Sequence, residues 1–493
     1  MANILIIGGG VSGLSAGIYA QMNGHSAVIY ERHFKPGGNL TAWDRGGFHI
    51  DNCIHWLTGT NPVTSLYKMW CELGALGGVE VHQPEVLFSF EKDGKIAALS
   101  KDINKIKRDM LEISPEDKGE ILSFIKAVKA MTRLNGIAGE NNENPSTLLQ
   151  KIASIPALIK YYSLSTGDLA KRFKSPAIRG LFEAVMTDYF SALALIMVFS
   201  TFTSGNGAVP KGASSSMAER MAERFSSLGG RIRLKLGARK INIENGKASS
   251  VTLDDGSTAS ADYVVVATDP ASAFGGLLDK SLMPKQLRAQ YENPEMIRFS
   301  SYHCAFACDT ANLPFCGDRV LEVPKKHRGT ITSDYIIIRE FSHEPSFAPS
   351  GKNIIQAMIY CKEDVASEFI AMHDNSDEYR ERKRAIASAV EDIILGSFPE
   401  LDGLLSCLDV WTPATYKRYV HSEIGSWMSF ALTPSVAPVK ITNRIEGVKN
   451  VILATQWLQS PGGLPIAAES GRCAIKTISS IDKKQFRIKR TLL

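Results

Sequence analysis

The stretch Asn3-Ile4-Leu5-Ile6-Ile7-Gly8-Gly9-Gly10-Val11-Ser12-Gly13, with the strand-like Ser26-Ala27-Val28-Ile29-Tyr30-Glu31 that follows it, decides the fold. Four apolar residues from Ile4 predict a buried strand, the glycines a tight turn, and the run from Ser12 to Asn23 a helix, so the unit is βαβ. Within the turn, Gly8 permits the bend, Gly10 lets a pyrophosphate approach the backbone, and Gly13 lets the helix lie close to the strand. Amides of the helix start, Val11 and Ser12 among them, point toward the phosphates. Glu31, closing the next strand, accepts hydrogen bonds from a ribose diol and repels a 2′-phosphate, which favours FAD or NAD over NADP. Arg32 beside it weakens that exclusion slightly.

Working outward, 493 residues exceed one compact core and predict two interleaved domains. The 44% hydrophobic and 22% charged composition is that of a folded globular chain. A net charge of +5 from 56 basic and 51 acidic residues gives no case for nucleic-acid binding. Met1 is followed almost at once by the first strand, which leaves no room for a signal peptide and points to a cytoplasmic protein. The longest apolar run, Phe190 to Phe202, is well short of the roughly 20 residues that span a bilayer and reads as a buried helix. Cys53, Cys71, Cys304, Cys308, Cys316, Cys361, Cys407 and Cys473 contain no Cys-x-x-Cys pair, so they read as reduced core residues, with no metal site and no disulfide.

Further along, Arg231 to Leu236 and Ala248 to Leu253 read as strands around the turn Glu244-Asn245-Gly246-Lys247. Tyr263 to Ala267 and Val451 to Ala454 read as buried central strands, the latter followed by Ser460-Pro461-Gly462-Gly463 and a helix from Pro465 to Ile478. Two long inserts lie between. The first, from Val81 to Phe202, reads as largely helical, with a start signal at Ser114-Pro115-Glu116-Asp117. The second, from Pro270 to Val420, carries strands at Ser300 to Ala307, Tyr335 to Phe341 and Asn353 to Tyr360, and a helix between Asp377 and Leu395.

The segment from Glu31 through Pro36-Gly37-Gly38-Asn39 to Gly47-Phe48-His49-Ile50-Asp51 resembles the phytoene desaturase, carotenoid isomerase and retinol saturase group of flavoproteins, within the flavin amine oxidase-like superfamily. The likeness extends through Pro210-Lys211-Gly212, Gly229-Gly230-Arg231-Ile232, Ala238-Arg239-Lys240-Ile241, Asp262 to Asp269 and Gln456 to Gly471. It implies an α/β fold: a Rossmann-like FAD-binding domain of the GR2 type made of residues 1–80, 203–269 and 421–493, and an inserted α+β substrate domain made of 81–202, with its helical insert, and 270–420. It implies FAD, with Gly8, Gly10, Val11, Ser12, Gly13, Glu31 and Arg32 at the pyrophosphate and ribose and the Ala238 backbone at the adenine. Gly38, Asn39, Ile54 and His55 then follow the ribitol and flavin, and Gln456, Gly463, Leu464 and Pro465 close round the ring at a helix N-terminus, which stabilises negative charge on a reduced flavin. Relatives often carry glycine where Ala213 and Thr455 stand.

The implied chemistry is hydride exchange at flavin N5 with an apolar polyene or isoprenoid-like substrate, as desaturation, saturation or isomerisation, served by an electron donor or acceptor of unassigned identity. No obligatory base follows; His55, Tyr416 and His421, with Arg418 and Tyr419, are the polar candidates, each with a structural role as the alternative. Tyr161, Tyr162, Phe182, Met186, Tyr189, Phe190 and Trp427 are candidate walls for a hydrocarbon tunnel. The tail, with Lys483, Lys484, Arg487, Lys489 and Arg490 among Phe486, Ile488, Leu492 and Leu493, is a candidate peripheral membrane contact. Two other readings stand beside this one: an amine-oxidase-like flavoenzyme, and a non-catalytic lipid-binding protein of the same fold, like the dissociation inhibitors of prenylated small GTPases.

Overall fold

The computed structural model describes residues 1–134, 147–372, 376–436, 439 and 441–488. Asn3–Ile7 is a central strand of a six-stranded sheet, in the order Arg231–Arg233, Ser26–Tyr30, Asn3–Ile7, Tyr263–Val266, Val448–Leu453, Arg444–Ile445. The first five strands run parallel and the last is antiparallel. Ile4 sits between Ala27 and Tyr263 in register, and Ile7 between Tyr30 and Val266, so the strand ends of the nucleotide loop and of the Val266-Ala267-Thr268 turn lie side by side. The helices Val11–Met22 and Leu464–Ile481 pack against each other beneath this sheet.

One expected pairing is different in the structure. Arg231–Arg233 does not face the Ala248 stretch but extends the edge of the nucleotide sheet beside Ser26–Tyr30. Lys235 takes φ of 56° and turns the chain, and a new strand, Ala238–Glu244, pairs with Lys247–Leu253. Asn245 and Gly246 hold positive φ at the tip, as a two-residue hairpin turn requires.

A seven-stranded sheet forms the second layer system, in the order Leu405–Trp411, Phe299–Cys308, Asn353–Lys362, Tyr335–Glu340, Asp318–Glu322, Val86–Lys92, Lys95–Ser100. The insert from Val81 is largely helical, as expected, but not throughout: it supplies the last two strands of this sheet as a hairpin turned at Asp93-Gly94, both at positive φ. Asp-Gly between apolar runs is a strong hairpin signal. The helical part begins at Ile103, and Pro115–Asp117 forms a short 3₁₀ turn before the helix Lys118–Arg133. Asp117 is buried, its carboxylate accepting from the Lys174 and Ser175 amides and the Ser114 hydroxyl. The apolar run resolves into the buried helix Ala192–Thr203, whose Phe199 packs edge-on against Phe124 and Phe182.

Phe299–Cys308 shows how the two layers meet. Tyr302, Cys304, Phe306 and Cys308 pack into the core of the helix Asp377–Ser397, whereas Ala305 and Ala307 on the opposite face join the core of the nucleotide sheet. None of the eight cysteines forms a disulfide; only Cys304, Cys308 and Cys361 are buried, while Cys316 and Cys407 are exposed, so the reading of every cysteine as a core residue does not hold.

Candidate functional site

A cavity of about 1280 Å³ lies between the two layers, above the roughly 300–1,000 Å³ usual for a small-molecule pocket. Two helix N-termini open into it. Gly10 caps Val11–Met22 and Gly463 caps Leu464–Ile481, neither with a side-chain cap, so first-turn amides are left to face the cavity. Convergence of the two ends follows from close helix packing. A Cβ on Gly471 would stand 2.3 Å from the Ser12 carbonyl oxygen, the Ser470 hydroxyl donates to Ser12 Oγ at 3.2 Å, and Ser15 donates to the Ala468 carbonyl at 2.6 Å.

The nucleotide loop separates packing from access. A Cβ on Gly13 would fall 1.9 Å from the Gly8 carbonyl oxygen, so Gly13 belongs to the strand-helix contact and does not line the cavity. A Cβ on Gly10 would meet nothing nearer than 3.9 Å and would project into open space. Glu31 accepts from the Gly9 amide at 2.6 Å and the His33 amide at 2.7 Å, which fixes its carboxylate at the cavity wall.

Beyond Glu31, Arg32 is held by Asp254 at 3.0 Å and by the Ala238 carbonyl at 3.1 Å. His421 lies against the same guanidinium, 3.2 Å from its Nη1, and burial followed by the Arg32 charge pushes its pKa down. Arg418 and Tyr419 also border the cavity. His421 thus belongs to the Glu31, Arg32 and Ala238 end, far along the chain of contacts from His55.

At the other end Asn39, His55, Tyr416, Gly463, Leu464 and Pro465 line the wall. Gln456 staples this end: its Nε2 donates to the Trp427 carbonyl and its Oε1 accepts from the Gly463 amide at 2.7 Å. Ile54 does not line the cavity. Its side chain is buried and its amide donates to Ser214 Oγ, while Ser214 donates through both amide and hydroxyl to Asp51. This relay ties residues 51–55 to the helix Ala213–Ser227 and so positions His55. Burial raises the Asp51 pKa, and Arg339 partly offsets it.

A polar network behind this wall joins Tyr416 and His55 to Asn52, His303, Trp411 and Asp318, four residues the sequence did not single out. Asn52 donates to the Asn39 carbonyl at 3.0 Å and accepts from the Tyr416 hydroxyl at 3.0 Å; Tyr416 in turn accepts from Trp411 Nε1 at 3.2 Å. His303 stacks on Trp411, with ring centres 4.7 Å apart, and its Nε2 lies 3.2 Å from the Tyr416 oxygen. Alternation in the strand was the available signal, since it sets Ser301 and His303 opposite the apolar Tyr302 and Cys304. His55 Nδ1 lies 3.4 Å from Asp318 Oδ2, and Arg339 Nε lies 3.6 Å from Asp318 Oδ1. Burial drives the Asp318 pKa up to about 7 against the pull of Arg339. Burial, then the Arg339 charge, pushes His55 well below the usual imidazole range; His303 is pushed down by burial, His55 and Arg339. Both rings are neutral at pH 7.

A further part of the wall is apolar, made by Trp56, Phe88, Met186, Phe190, Ala194, Met197, Val198, Phe299, Met358, Trp427 and Met428, with Thr187, Thr201 and Tyr360 among them. Of the candidate tunnel residues, Met186, Phe190 and Trp427 line it, Tyr162 and Tyr189 pack behind it, and Tyr161 and Phe182 lie in the helical core. The described tail is engaged elsewhere: Phe486 packs on Tyr19 and Arg487 donates its amide to Asn23. Lys489, Arg490, Leu492 and Leu493 lie outside the described residues. No described helix is long and apolar enough to cross a membrane.

The site meets the demands of a flavin dinucleotide. The Gly10 face is open for a pyrophosphate, two uncapped helix ends supply amides, and the buried Asn39 Oδ1 and Thr268 Oγ1 in the cavity wall have no hydrogen-bond partner among the described residues. Fold and site together define an FAD-dependent oxidoreductase. The chain belongs to the flavin containing amine oxidoreductase family, whose model matches residues 11–474. It is 23% identical to prolycopene isomerase of Daucus carota over 86% of this chain and 71% of that one. It is 22% identical to 4,4′-diapophytoene desaturase of a Methylomonas species over 99% of this chain and 98% of that one. Among solved structures, an oxidoreductase from Methanosarcina mazei superimposes with TM-score 0.58 at 17% identity, covering 96% of this chain and all of that one. Cyclohexylamine oxidase from Brevibacterium oxydans does so with TM-score 0.58 at 16% identity, covering 98% of this chain and 100% of the other.

Proposed function

We propose that this flavoenzyme desaturates, saturates or isomerises C–C and C=C bonds of an apolar polyene or isoprenoid-like substrate. The observation that carries this reading is that one cavity is lined both by the nucleotide-loop residues Gly8, Gly10, Val11 and Glu31 and by the apolar Met186, Phe190, Met197, Phe299 and Met358. Such a wall offers a hydrocarbon burial at about 25 cal/mol per Å², and these five side chains include no carboxylate to pair with an ammonium group. The names of the desaturase and isomerase relatives support the same substrate class.

Residues 1–80, 203–269 and 421–493 are proposed as the cofactor-binding part, and 81–202 with 270–420 as the substrate part. Gly8, Gly10, Val11 and Ser12 then bind the pyrophosphate and Glu31 and Arg32 the ribose, with the Ala238 backbone at the adenine and Gly38 and Asn39 along the chain toward the ring. When bound, FAD supplies hydride acceptance and donation, the difficult part of the chemistry. The N-terminus of Leu464–Ile481, left without a side-chain cap, would stabilise negative charge on a flavin held against it. His55, kept neutral, and Tyr416, held by Asn52 and Trp411, fix the polar wall, and Trp427 and Met428 add apolar surface to the same cavity.

The test begins with the absorbance spectrum of the purified protein and the mass of any cofactor released on denaturation, followed by anaerobic mixing with solubilised polyenes. Released FAD and a polyene-dependent change in the flavin bands are expected. Amine-dependent peroxide release without a polyene response overturns the substrate class in favour of an amine oxidase, and a colourless protein that fails to take up FAD overturns the enzyme reading in favour of a lipid carrier.

A further inference from the structure

The helix Leu148–Tyr162 carries its apolar stripe on the outside. Its inward residues are Ser154, Leu158 and Tyr161. Leu148, Ile152, Ile155 and Ile159 fall on one face at helical spacing, with Leu149 beside them, and are 74%, 53%, 47%, 61% and 79% exposed respectively. A water-facing helix turns such a stripe to the core, and a contiguous apolar patch on a surface marks a contact.

Two further observations say what covers it. The helix contains Lys151 and Lys160 and no acidic residue, and the neighbouring helix Lys118–Arg133 exposes Lys118, Lys126, Lys129 and Arg133 around Leu122, with Glu120 its single acid. An apolar stripe bordered by cations is complementary to an anionic lipid surface, and it opposes a second copy, which would bring like charges together. The end of the helix is also tied to a segment of the cavity wall. The Ser191 hydroxyl donates to the Tyr161 and Tyr162 carbonyls at the helix end, and Phe190 and Ala194 on either side of Ser191 line the cavity.

We propose that Leu148–Tyr162 docks in the interface of an anionic bilayer, with the Lys118–Arg133 cations at the headgroups, and places the apolar arm of the cavity next to the lipid. At 15 residues the helix is too short to span about 30 Å of hydrocarbon and lies in the plane of the interface. Only the purpose, collection of an apolar substrate from lipid, rests on the function proposed above.

Flotation of the holoprotein with vesicles of phosphatidylcholine and phosphatidylglycerol, against vesicles of phosphatidylcholine alone, tests this directly. The wild type is expected to float with the mixed vesicles. Leu149→Gln, Ile152→Gln and Ile155→Gln combined, all at exposed positions and monitored by retained flavin absorbance, are expected to cut binding by about tenfold or more. Lys118→Gln, Lys126→Gln and Lys129→Gln combined are expected to remove the preference for anionic vesicles and its salt dependence. Wild type that stays with the buffer, or an apolar variant that floats as the wild type does, overturns the proposal. A wild-type dimer in lipid-free buffer that the apolar variant converts to monomer overturns it in favour of a copy-to-copy interface. Flotation without turnover of any polyene leaves the docking surface standing and removes the substrate reading instead.

Discussion

Gly10 and Gly13 share one loop and one helix but meet different surroundings, and substitution by alanine separates binding from folding. Gly13→Ala drives a Cβ to 1.9 Å from the Gly8 carbonyl oxygen, an overpacking worth about 3 kcal/mol or more of lost stability. Gly10→Ala has no such neighbour. It is expected to keep the melting temperature of the flavin-free protein while losing flavin on gel filtration, because its methyl group occupies the approach to the pyrophosphate. Retention of FAD by Gly10→Ala refutes the assignment of this loop to the phosphates. Tyr416→Phe acts in the opposite sense: the flavin stays, but Trp411 Nε1 and Asn52 Oδ1 lose their partner, at about 1–3 kcal/mol for each group left unpaired, read by chemical denaturation. The glycines and Glu31 were legible in the sequence because a backbone turn dictates their spacing. Asn52, His303 and Trp411 were not, because only the register of Phe299–Cys308 against Leu405–Trp411 sets His303 opposite Trp411.

At the level of elements, the site depends on two helices whose N-termini must point into one cavity. Gly471 is the point of closest approach, with the Ser12 carbonyl oxygen 2.3 Å and the Ala16 amide nitrogen 2.7 Å from where a Cβ would lie. Gly471→Val is therefore expected to lower thermal stability and flavin retention together, unlike Gly10→Ala, which lowers retention alone; a Gly471→Val protein of normal stability that still lacks flavin contradicts this role. The first helix was readable from its glycines and the second from Gly462-Gly463 and Pro465, since caps and turns are local. The strand pairings were less so. Arg231–Arg233 goes to the nucleotide sheet and Val86–Ser100 to the other because each edge offers a partner distant in sequence, and alternation within a strand does not name that partner.

Across the whole molecule, the joint between the two sheets carries buried charge, and this makes stability depend on pH. Asp318 belongs to the seven-stranded sheet and His55 to the segment pinned beneath the nucleotide sheet. A carboxyl that titrates at about 7 when folded and near 3.9 when unfolded holds more protons in the folded state between those values. Its contribution is therefore fully present below about pH 4 and is lost as pH rises to 7, by up to about 4 kcal/mol at 1.36 kcal/mol per unit. His55 and His303 act with the other sign: their depressed folded pKa values stabilise above the unfolded value near 6.5 and lose that stabilisation as pH falls below it. The wild-type profile is consequently a partial cancellation, and the term of interest is isolated by difference. Asp318→Asn removes the carboxyl term while leaving both histidines, so the stability of the variant relative to the wild type is expected to rise steadily between pH 4 and 7. Urea unfolding at several pH values measures that difference, and a difference that stays flat across the interval means that Asp318 is ionised in the folded protein and that Arg339 has outweighed its burial.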